Sequence, residues 1–202
     1  MLARIYGSGF PIKLIVGGVH GREWKYTRLL TKRINEDIES YGTIVVVPRL
    51  SRDKIYISTL KEEFYESTAG RNLLNLINIL KPHFYLELHA YGKKSFRRLT
   101  DPERKEKYGV PPFYKLKSML LIGSVSDKLL KKVKLDFALA LEVPMSKNFS
   151  DAFEDAYRVI EIICRARNKE EIIRSLVDYV GSKNFEEYAG KILCWLSSFS
   201  YR

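Results

Sequence analysis

The sequence lacks several features that would assign it to a class at once. Among 202 residues it has no glutamine, only two cysteines and only three histidines. Cys164 and Cys194 have no ligand spacing around them, which excludes a disulfide framework and a zinc finger, and we expect both to be buried small side chains. No apolar run approaches the ~20 residues that span a bilayer. The first residues also lack the long apolar segment of a secretory signal, so we expect a cytoplasmic protein with no membrane partner.

The charge of the chain is strongly biased to one sign. The formal net charge is +11, while the 46% hydrophobic fraction is typical of a globular domain. A positive excess of this size is compatible with nucleic acid, an anionic surface or an anionic small substrate as partner. The absence of glutamine and the abundance of Lys, Glu, Arg and Ile are typical of proteins from hot environments. This compositional bias explains the large number of charged residues but not the excess of positive over negative ones.

Apolar runs alternate with helical patterns along most of the chain. Short apolar runs predict strands at Lys13–Val16, Thr43–Val47, Phe84–His89, Met119–Ile122 and Phe137–Val143. Apolar residues at helical spacing predict helices at Glu23–Ile38, Ala69–Leu80 and Asp127–Val133, and throughout the chain from Ser150 onward. The alternation predicts an α/β fold with a mostly parallel or mixed central sheet flanked by helices, and a helical C-terminal tail. We take residues 1–165 as the α/β domain and 166–202 as a helical extension packed on it.

One long segment, Gly92–Lys117, is basic and poor in core residues. Long irregular segments in compact domains are usually functional loops or disordered ones. Two interpretations therefore stay open. The segment covers the active site and attracts an anionic substrate, or it is a solvated, mobile loop.

Three polar residues stand at the carboxyl ends of otherwise apolar strands. His20 follows LIVGGV, His89 closes FYLELH, and Glu142 closes FALALE. In open α/β sheets, ligands bind beyond the carboxyl ends of the strands. Each residue alone is more often a satisfied structural group than a functional one, but three that converge on one edge of a sheet indicate a site.

The stretch LIVGGVHGREW (Leu14–Trp24) brings His20 and Glu23 to the junction of a strand and a helix. Both side chains can turn toward one point, and His89 is available as a third ligand. Two histidines and one glutamate, with a water in the fourth position, form a known catalytic zinc set. The sequence therefore predicts one Zn²⁺ per chain, held by His20, Glu23 and His89.

Two further glutamates have possible roles at such a site. Glu142 is placed to accept a proton from the metal-activated water and pass it to the leaving group, although a strand-end glutamate can equally form a salt bridge. Strand parity puts Glu87 on the same face of its strand as His89, which makes it a candidate outer carboxylate that orients the histidine. The alternative for Glu87 is a buried pair with Lys or Arg.

The same residues carry a resemblance to a known superfamily. GGVHGREW is similar to the GGxHGxE segment of the succinylglutamate desuccinylase and aspartoacylase family and to the HxREW segment of zinc carboxypeptidases. ELHAYG resembles their second histidine motif, and LEVP resembles the segment that holds the catalytic glutamate of the deacylases. The three motifs occur in the same order over roughly residues 5–165, in a chain that resembles a compact, uncharacterised archaeal branch. The resemblance implies zinc at His20, Glu23 and His89, with Glu142 as general base and acid.

The substrate-binding region departs from that pattern. Family members carry an Asn-Pro segment, an arginine that polarises the scissile carbonyl and an Asn-Arg pair, whereas this chain reads VPRLSRDKIYISTLKEEF without such a pair. Candidates for the oxyanion partner are Arg49, Arg52 and Lys54. Tyr91, two residues after His89, either lines the substrate pocket or is a packed aromatic residue.

These observations lead to one favoured function and two alternatives. The favoured function is zinc-dependent hydrolysis of an amide bond, of the deacylase or carboxypeptidase type, in a small anionic molecule or short peptide. The first alternative is a basic nucleic-acid-binding module, supported by the charge and by clusters such as RRLTDPERKEK, although no nucleic-acid-binding signature is present. The second is a member of the superfamily that keeps zinc and has lost catalysis. Neither the substrate nor the oligomeric state follows from the sequence.

Overall fold

A single mixed sheet of seven strands organises the chain in a computed structural model that describes residues 2–53, 55–145 and 150–200. The strands are β1 (Arg4–Gly7), β2 (Ile12–Gly17), β3 (Thr43–Val47), β4 (Phe84–Tyr91), β5 (Tyr114–Lys115), β6 (Leu121–Gly123) and β7 (Phe137–Pro144). Their order across the sheet is β1-β3-β2-β4-β7-β6-β5. The four central strands are parallel, while β1, β6 and β5 add antiparallel edges. The predicted α/β class with a mixed sheet is confirmed.

Helices connect and flank these strands. They are α1 (Trp24–Arg33), α2 (Glu62–Glu66), α3 (Thr68–Leu80), α4 (Lys93–Leu99), α5 (Arg104–Tyr108), α6 (Asp127–Lys132), α7 (Ser150–Arg165), α8 (Lys169–Val180) and α9 (Lys183–Ser200). The first helix is shorter than the predicted Glu23–Ile38, because Ile34 has extended backbone angles. The Asn35 side chain then bonds Asp37 in a turn.

The centre of the sheet is buried on both faces. Every residue of β4 is buried, and β2, β3 and β7 are buried along nearly their whole length. Apolar residues explain this burial, since parallel strands covered by helices on both sides favour continuous hydrophobic runs. Two residues of β4, Glu87 and His89, are buried although they are ionisable. Their exposed fractions are 1% and 5%.

The prediction of an irregular segment at Gly92–Lys117 is wrong. It contains α4, α5 and β5, and it buries Leu99, Val110, Phe113 and Leu116 against the core. These four apolar side chains are spaced too widely to give a periodic signal, yet all four are buried, and Leu99, Phe113 and Leu116 belong to the main hydrophobic cluster. The segment Gly92–Lys117 is therefore an ordered part of the fold.

The C-terminal helix α9 packs against this segment. The Tyr188 hydroxyl of α9 lies 3.0 Å from the Pro112 carbonyl oxygen and 2.9 Å from that of Ile122, so the two carbonyls share its single proton. Trp195 Nε1 donates to Ser124 Oγ at 3.1 Å. Cys164 is buried as predicted, but Cys194 is exposed because it lies on the outward side of α9. In the described part of the chain, no helix has both the length and the apolar character required to cross a membrane.

Candidate metal centre

A tight turn joins β2 to α1 and positions the first two candidate ligands. Gly18 has φ +57°, and a Cβ there would lie 2.7 Å from the Cβ of Trp24, so only glycine fits without displacing the helix. The Gly18 N–H donates to Thr27 Oγ1 at 3.1 Å, which anchors the turn to α1. The motif GGVHGRE thus places His20 and Glu23 at the carboxyl end of a central strand.

His20, Glu23 and His89 form one buried cluster. One ligand atom from each lies within 4.8 Å of the others, and the three residues are 8%, 3% and 5% exposed. Glu23 Oε2 lies 3.3 Å from His20 Nδ1 and 3.2 Å from His89 Nδ1. Its other oxygen, Oε1, accepts the backbone N–H of His20 at 3.1 Å. The glutamate is thereby held at the centre of the cluster.

The protonation of the cluster reflects its burial and its charges. Burial alone would raise the pKa of Glu23, but the two histidines beside it lower that pKa below its usual range. Burial lowers the pKa of His20. Burial also opposes the charged form of His89, but the carboxylates of Glu23 and Glu87 raise the His89 pKa well above the usual range.

This donor set fits a zinc ion. His20 Nδ1 is buried and has no hydrogen-bond partner within the described residues, because its contact with Glu23 lacks hydrogen-bond geometry. Buried polar atoms are nearly always satisfied, so an orphaned imidazole nitrogen that faces a carboxylate and a second imidazole requires explanation. Two neutral imidazoles and one carboxylate are suitable ligands for zinc, and the ion would supply the missing partner.

Glu87 contacts His89 from the side opposite Glu23. Glu87 Oε2 lies 3.0 Å from His89 Nε2, and its Oε1 accepts the Tyr85 hydroxyl at 2.8 Å. Three residues of β4 at alternate positions therefore form a chain of contacts on one face of the strand. The arrangement fixes the ring of His89 with Nδ1 turned toward the cluster.

Glu142 stands beside the cluster on the neighbouring strand. It is half-buried and is paired in register with His89 across β4 and β7. Burial is the main cause that raises its pKa to about 7, and the negative charge of Glu23 adds to this. The positive charges of His89, Arg104 and Arg98 act in the opposite direction. A carboxyl group that titrates near neutrality can both accept and donate a proton.

A cavity of about 390 Å³ opens in front of these residues. This volume lies in the range typical of small-molecule sites, roughly 300–1,000 Å³. The walls include His20, His89, Tyr91, Glu142, Arg98 and Arg104. The two arginines belong to the basic segment that forms one wall.

The residues predicted to contact the substrate are distributed between two cavities. Tyr91 lines the cavity described above, and its hydroxyl donates to the Met119 carbonyl at 2.7 Å. Arg49 and Arg52 line a separate cavity. The Arg49 guanidinium stacks over Trp24 at 4.5 Å and donates from Nε to the Ser51 carbonyl at 2.9 Å. Lys54 lies outside the described residues.

Sequence reasoning did not single out Arg98 and Arg104. The only available signal was the basic character of Gly92–Lys117, which contains many cations at no special spacing. Arg104 is 5% exposed, while Arg98 is exposed at the cavity wall. Which of these cations is buried depends on the packing of the segment against distant residues.

Comparison with known proteins identifies relatives in archaea and more distant structural neighbours. A family model described as "Uncharacterized protein conserved in archaea (DUF2119)" matches residues 8–192. The uncharacterized protein MJ0501 of Methanocaldococcus jannaschii is 38% identical over 174 residues, which cover 84% of each chain.

Two solved structures are similar at a lower level. One is an aspartoacylase family protein from Mesorhizobium loti, with a TM-score of 0.37, 14% identity, and coverage of 87% of this chain and 53% of that one. The other is a succinylglutamate desuccinylase/aspartoacylase from Rhodobacter sphaeroides, with a TM-score of 0.44, 13% identity, and coverage of 89% and 58%. The chain thus spans little more than half the length of either.

Proposed function

We propose that this chain, which belongs to the archaeal family DUF2119, is a zinc-dependent hydrolase that cleaves an amide bond of a small anionic molecule. The observation that carries the proposal is the buried cluster of His20, Glu23 and His89, directly beside the strand-paired Glu142. A metal site and a proton-accepting carboxylate at the edge of one cavity are the elements that hydrolysis requires.

The three cluster residues would hold the ion through the atoms that already converge. Glu23 Oε2 lies close to both His20 Nδ1 and His89 Nδ1, so we assign these three atoms as the ligands. Zinc bound by such a set acidifies water and polarises a carbonyl group. Glu87 would keep His89 in the required tautomer, because Nε2–H donates to its carboxylate and leaves the Nδ1 lone pair free.

Glu142 would move the proton. In its ionised form it accepts a proton from the attacking water, and in its protonated form it delivers that proton to the nitrogen of the leaving amine. A pKa of about 7 makes both forms accessible near neutral pH. Its register with His89 keeps the carboxylate on the same face of the sheet as the cluster.

The remaining predicted residues have smaller proposed roles. Because the Tyr91 hydroxyl already donates to Met119, we assign Tyr91 to shaping the cavity through its ring rather than to proton transfer. Arg49, Arg52 and Lys54 stay candidates for the oxyanion partner. Of these, Arg49 is held rigidly beside Gly18 of the ligand turn, since a Cβ on that glycine would lie 3.2 Å from Arg49 Cα.

The experiment that tests the proposal measures hydrolysis and zinc content together. The zinc-loaded protein is assayed against a panel of N-acyl amino acids and short peptides, in parallel with Glu142→Gln. Loss of a general base costs about 10²–10⁴-fold in rate, so we expect the variant to lose turnover while binding as much zinc as the wild type. Full activity in Glu142→Gln would contradict the assigned role. A wild type that binds zinc and hydrolyses no member of the panel would favour a zinc-retaining, non-catalytic protein.

A further inference from the structure

One buried cation in the cavity has no partner of opposite charge. Arg104 is 5% exposed, and it forms no salt bridge with any carboxylate of the described residues. Its Nε is buried without a hydrogen-bond partner in the same part of the chain. Buried arginines are almost always paired, because an uncompensated charge away from water is costly. An unpaired guanidinium in the wall of a cavity therefore points to a ligand that completes it.

The position of Arg104 is fixed by its neighbours. Nη1 donates to the Pro111 carbonyl at 3.2 Å, and the guanidinium lies over the Phe113 ring at 5.1 Å. The Phe113 ring in turn sits on Gly123, where an added Cβ would lie 2.6 Å from it. These contacts position the group without neutralising it, which distinguishes Arg104 from an exposed arginine.

Two glutamates, Glu87 and Glu142, line the cavity together with Arg104. Glu142 interacts with Arg104 electrostatically but forms no salt bridge with it. Burial lowers the pKa of Arg104, yet a guanidinium stays protonated under physiological conditions. An anionic ligand that enters the cavity would therefore compensate the positive charge of Arg104. Arg98, exposed at the same wall, adds a second positive charge along the route of entry.

We propose that Arg104 is the specificity residue of the cavity and binds a carboxylate group of the substrate, with Arg98 attracting the anion at the mouth. The proposal rests on the proposed function in taking this cavity as the substrate site. A planar guanidinium fork matches a carboxylate through parallel N–H donors. The bound acid would then place its scissile amide toward His20 and His89, which line the same cavity.

A single negative charge suits this site better than a phosphate dianion. Glu87 and Glu142 line the same cavity and repel additional negative charge, while one buried arginine compensates one charge. The predicted ligand class is therefore a small monocarboxylate that also contains an amide. Its uncharged analogue should lose most of the binding.

The test compares two probes that differ only in charge. Succinamate has one carboxylate and one amide, and succinamide replaces the carboxylate with a second amide. Binding is followed by NMR chemical-shift titration of the zinc-loaded and of the chelator-treated protein, with inorganic phosphate as a third probe. Arg104→Met removes the charge, and Arg104→Lys keeps the charge but loses the fork. Arg174→Met, at an exposed arginine of α8 that has no role in the proposed site, is the matched control.

We expect succinamate to bind the wild type at least tenfold more tightly than succinamide, with shifts in residues that line the cavity. The dissociation constant should rise at least tenfold in Arg104→Met and about threefold or more in Arg104→Lys, and stay unchanged in Arg174→Met. If Arg104→Met does not fold, the Arg104→Lys result decides.

Equal affinity for the two probes, or equal affinity of wild type and Arg104 variants, overturns the proposal. Tighter binding of phosphate than of succinamate overturns the carboxylate assignment. Arg104-dependent binding to a protein that shows no hydrolysis would refute the proposed function and leave this inference standing.

Discussion

His89 and Glu142 are directly paired residues of neighbouring parallel strands, β4 and β7. Residues paired in this way project from the same face of a sheet, so the position of one constrains the other. The candidate metal ligand and the candidate base are therefore fixed relative to each other by backbone hydrogen bonding rather than by a flexible loop. This rigidity favours a site in which ligand binding and proton transfer are coordinated.

The contact between Glu87 and His89 predicts a specific effect on metal affinity. Glu87→Gln keeps the shape of the side chain but removes the carboxylate that lies 3.0 Å from His89 Nε2. Outer-shell carboxylates of this kind contribute about 10–100-fold to metal affinity. We expect zinc affinity, measured by competition with a chromophoric chelator, to fall within that range. Tyr85→Phe, which removes only the hydroxyl that contacts Glu87, should have a smaller effect. Unchanged affinity in Glu87→Gln would show that the carboxylate does not support the ligand.

Lys13 predicts a pH dependence of stability. Its side chain is fully buried and donates to the carbonyls of Tyr41 and Cys164, and burial lowers its pKa to about 8, against weaker opposing effects of Cys164 and Glu171. Because the unfolded chain keeps the ordinary lysine pKa near 10.5, it binds more protons than the folded chain between these two values. The associated stability is complete above pH 10.5 and is lost as the pH falls toward 8.

The measurement is chemical unfolding of the wild type and of Lys13→Met at several pH values. Relative to the variant, the free energy of unfolding of the wild type should increase by roughly 1–3 kcal/mol from pH 7 to about 9.5. Lys115→Met, at an exposed lysine of β5, should show no such difference. A constant difference between wild type and Lys13→Met across this range would mean that the buried amine does not titrate as expected.

Gly123 and Gly190 predict opposite effects of the same substitution. A Cβ at Gly123 would lie 2.6 Å from the Phe113 ring, whereas Gly190 in α9 has open space around it. Overpacking a buried site costs about 1–3 kcal/mol, so Gly123→Ala should lower the free energy of unfolding by that amount and displace the ring beneath Arg104. Gly190→Ala should raise the free energy by up to about 1 kcal/mol, because alanine favours a helix. Equal effects in guanidinium unfolding would refute the packing argument.

The central strands and the cluster were predictable because their signals are local. TIVVV and FYLELH are apolar runs that favour strands in any context, and the carboxyl ends of parallel strands meet at one edge. His20, Glu23 and His89 therefore converge in the structure as expected. By contrast, β1 has only Ile5 and Tyr6 as apolar residues and is fixed mainly by its pairing with β3. Such a short edge strand has no independent sequence signal.

The buried arginine was not predictable for a different reason. Arg104 is one of several cations in Gly92–Lys117, and nothing in its neighbours distinguishes it. Its burial depends on Phe113 packing on Gly123 and on Tyr188 of α9 bonding the Pro112 carbonyl. These contacts join parts of the chain that are far apart in sequence. Long-range packing of this kind determines which of the cations in the segment is buried in the cavity wall.

The most direct test of the account is elemental analysis of zinc in the purified wild type, in His89→Ala and in the control His83→Ala. His83 lies just before the opposite end of β4, where its Nδ1 accepts the Ile12 N–H, outside the cluster. We expect about one zinc per chain in the wild type and in His83→Ala, and loss of zinc in His89→Ala. No zinc in the wild type even after zinc is supplied, or equal zinc in His89→Ala, would contradict the metal site and the hydrolase built on it.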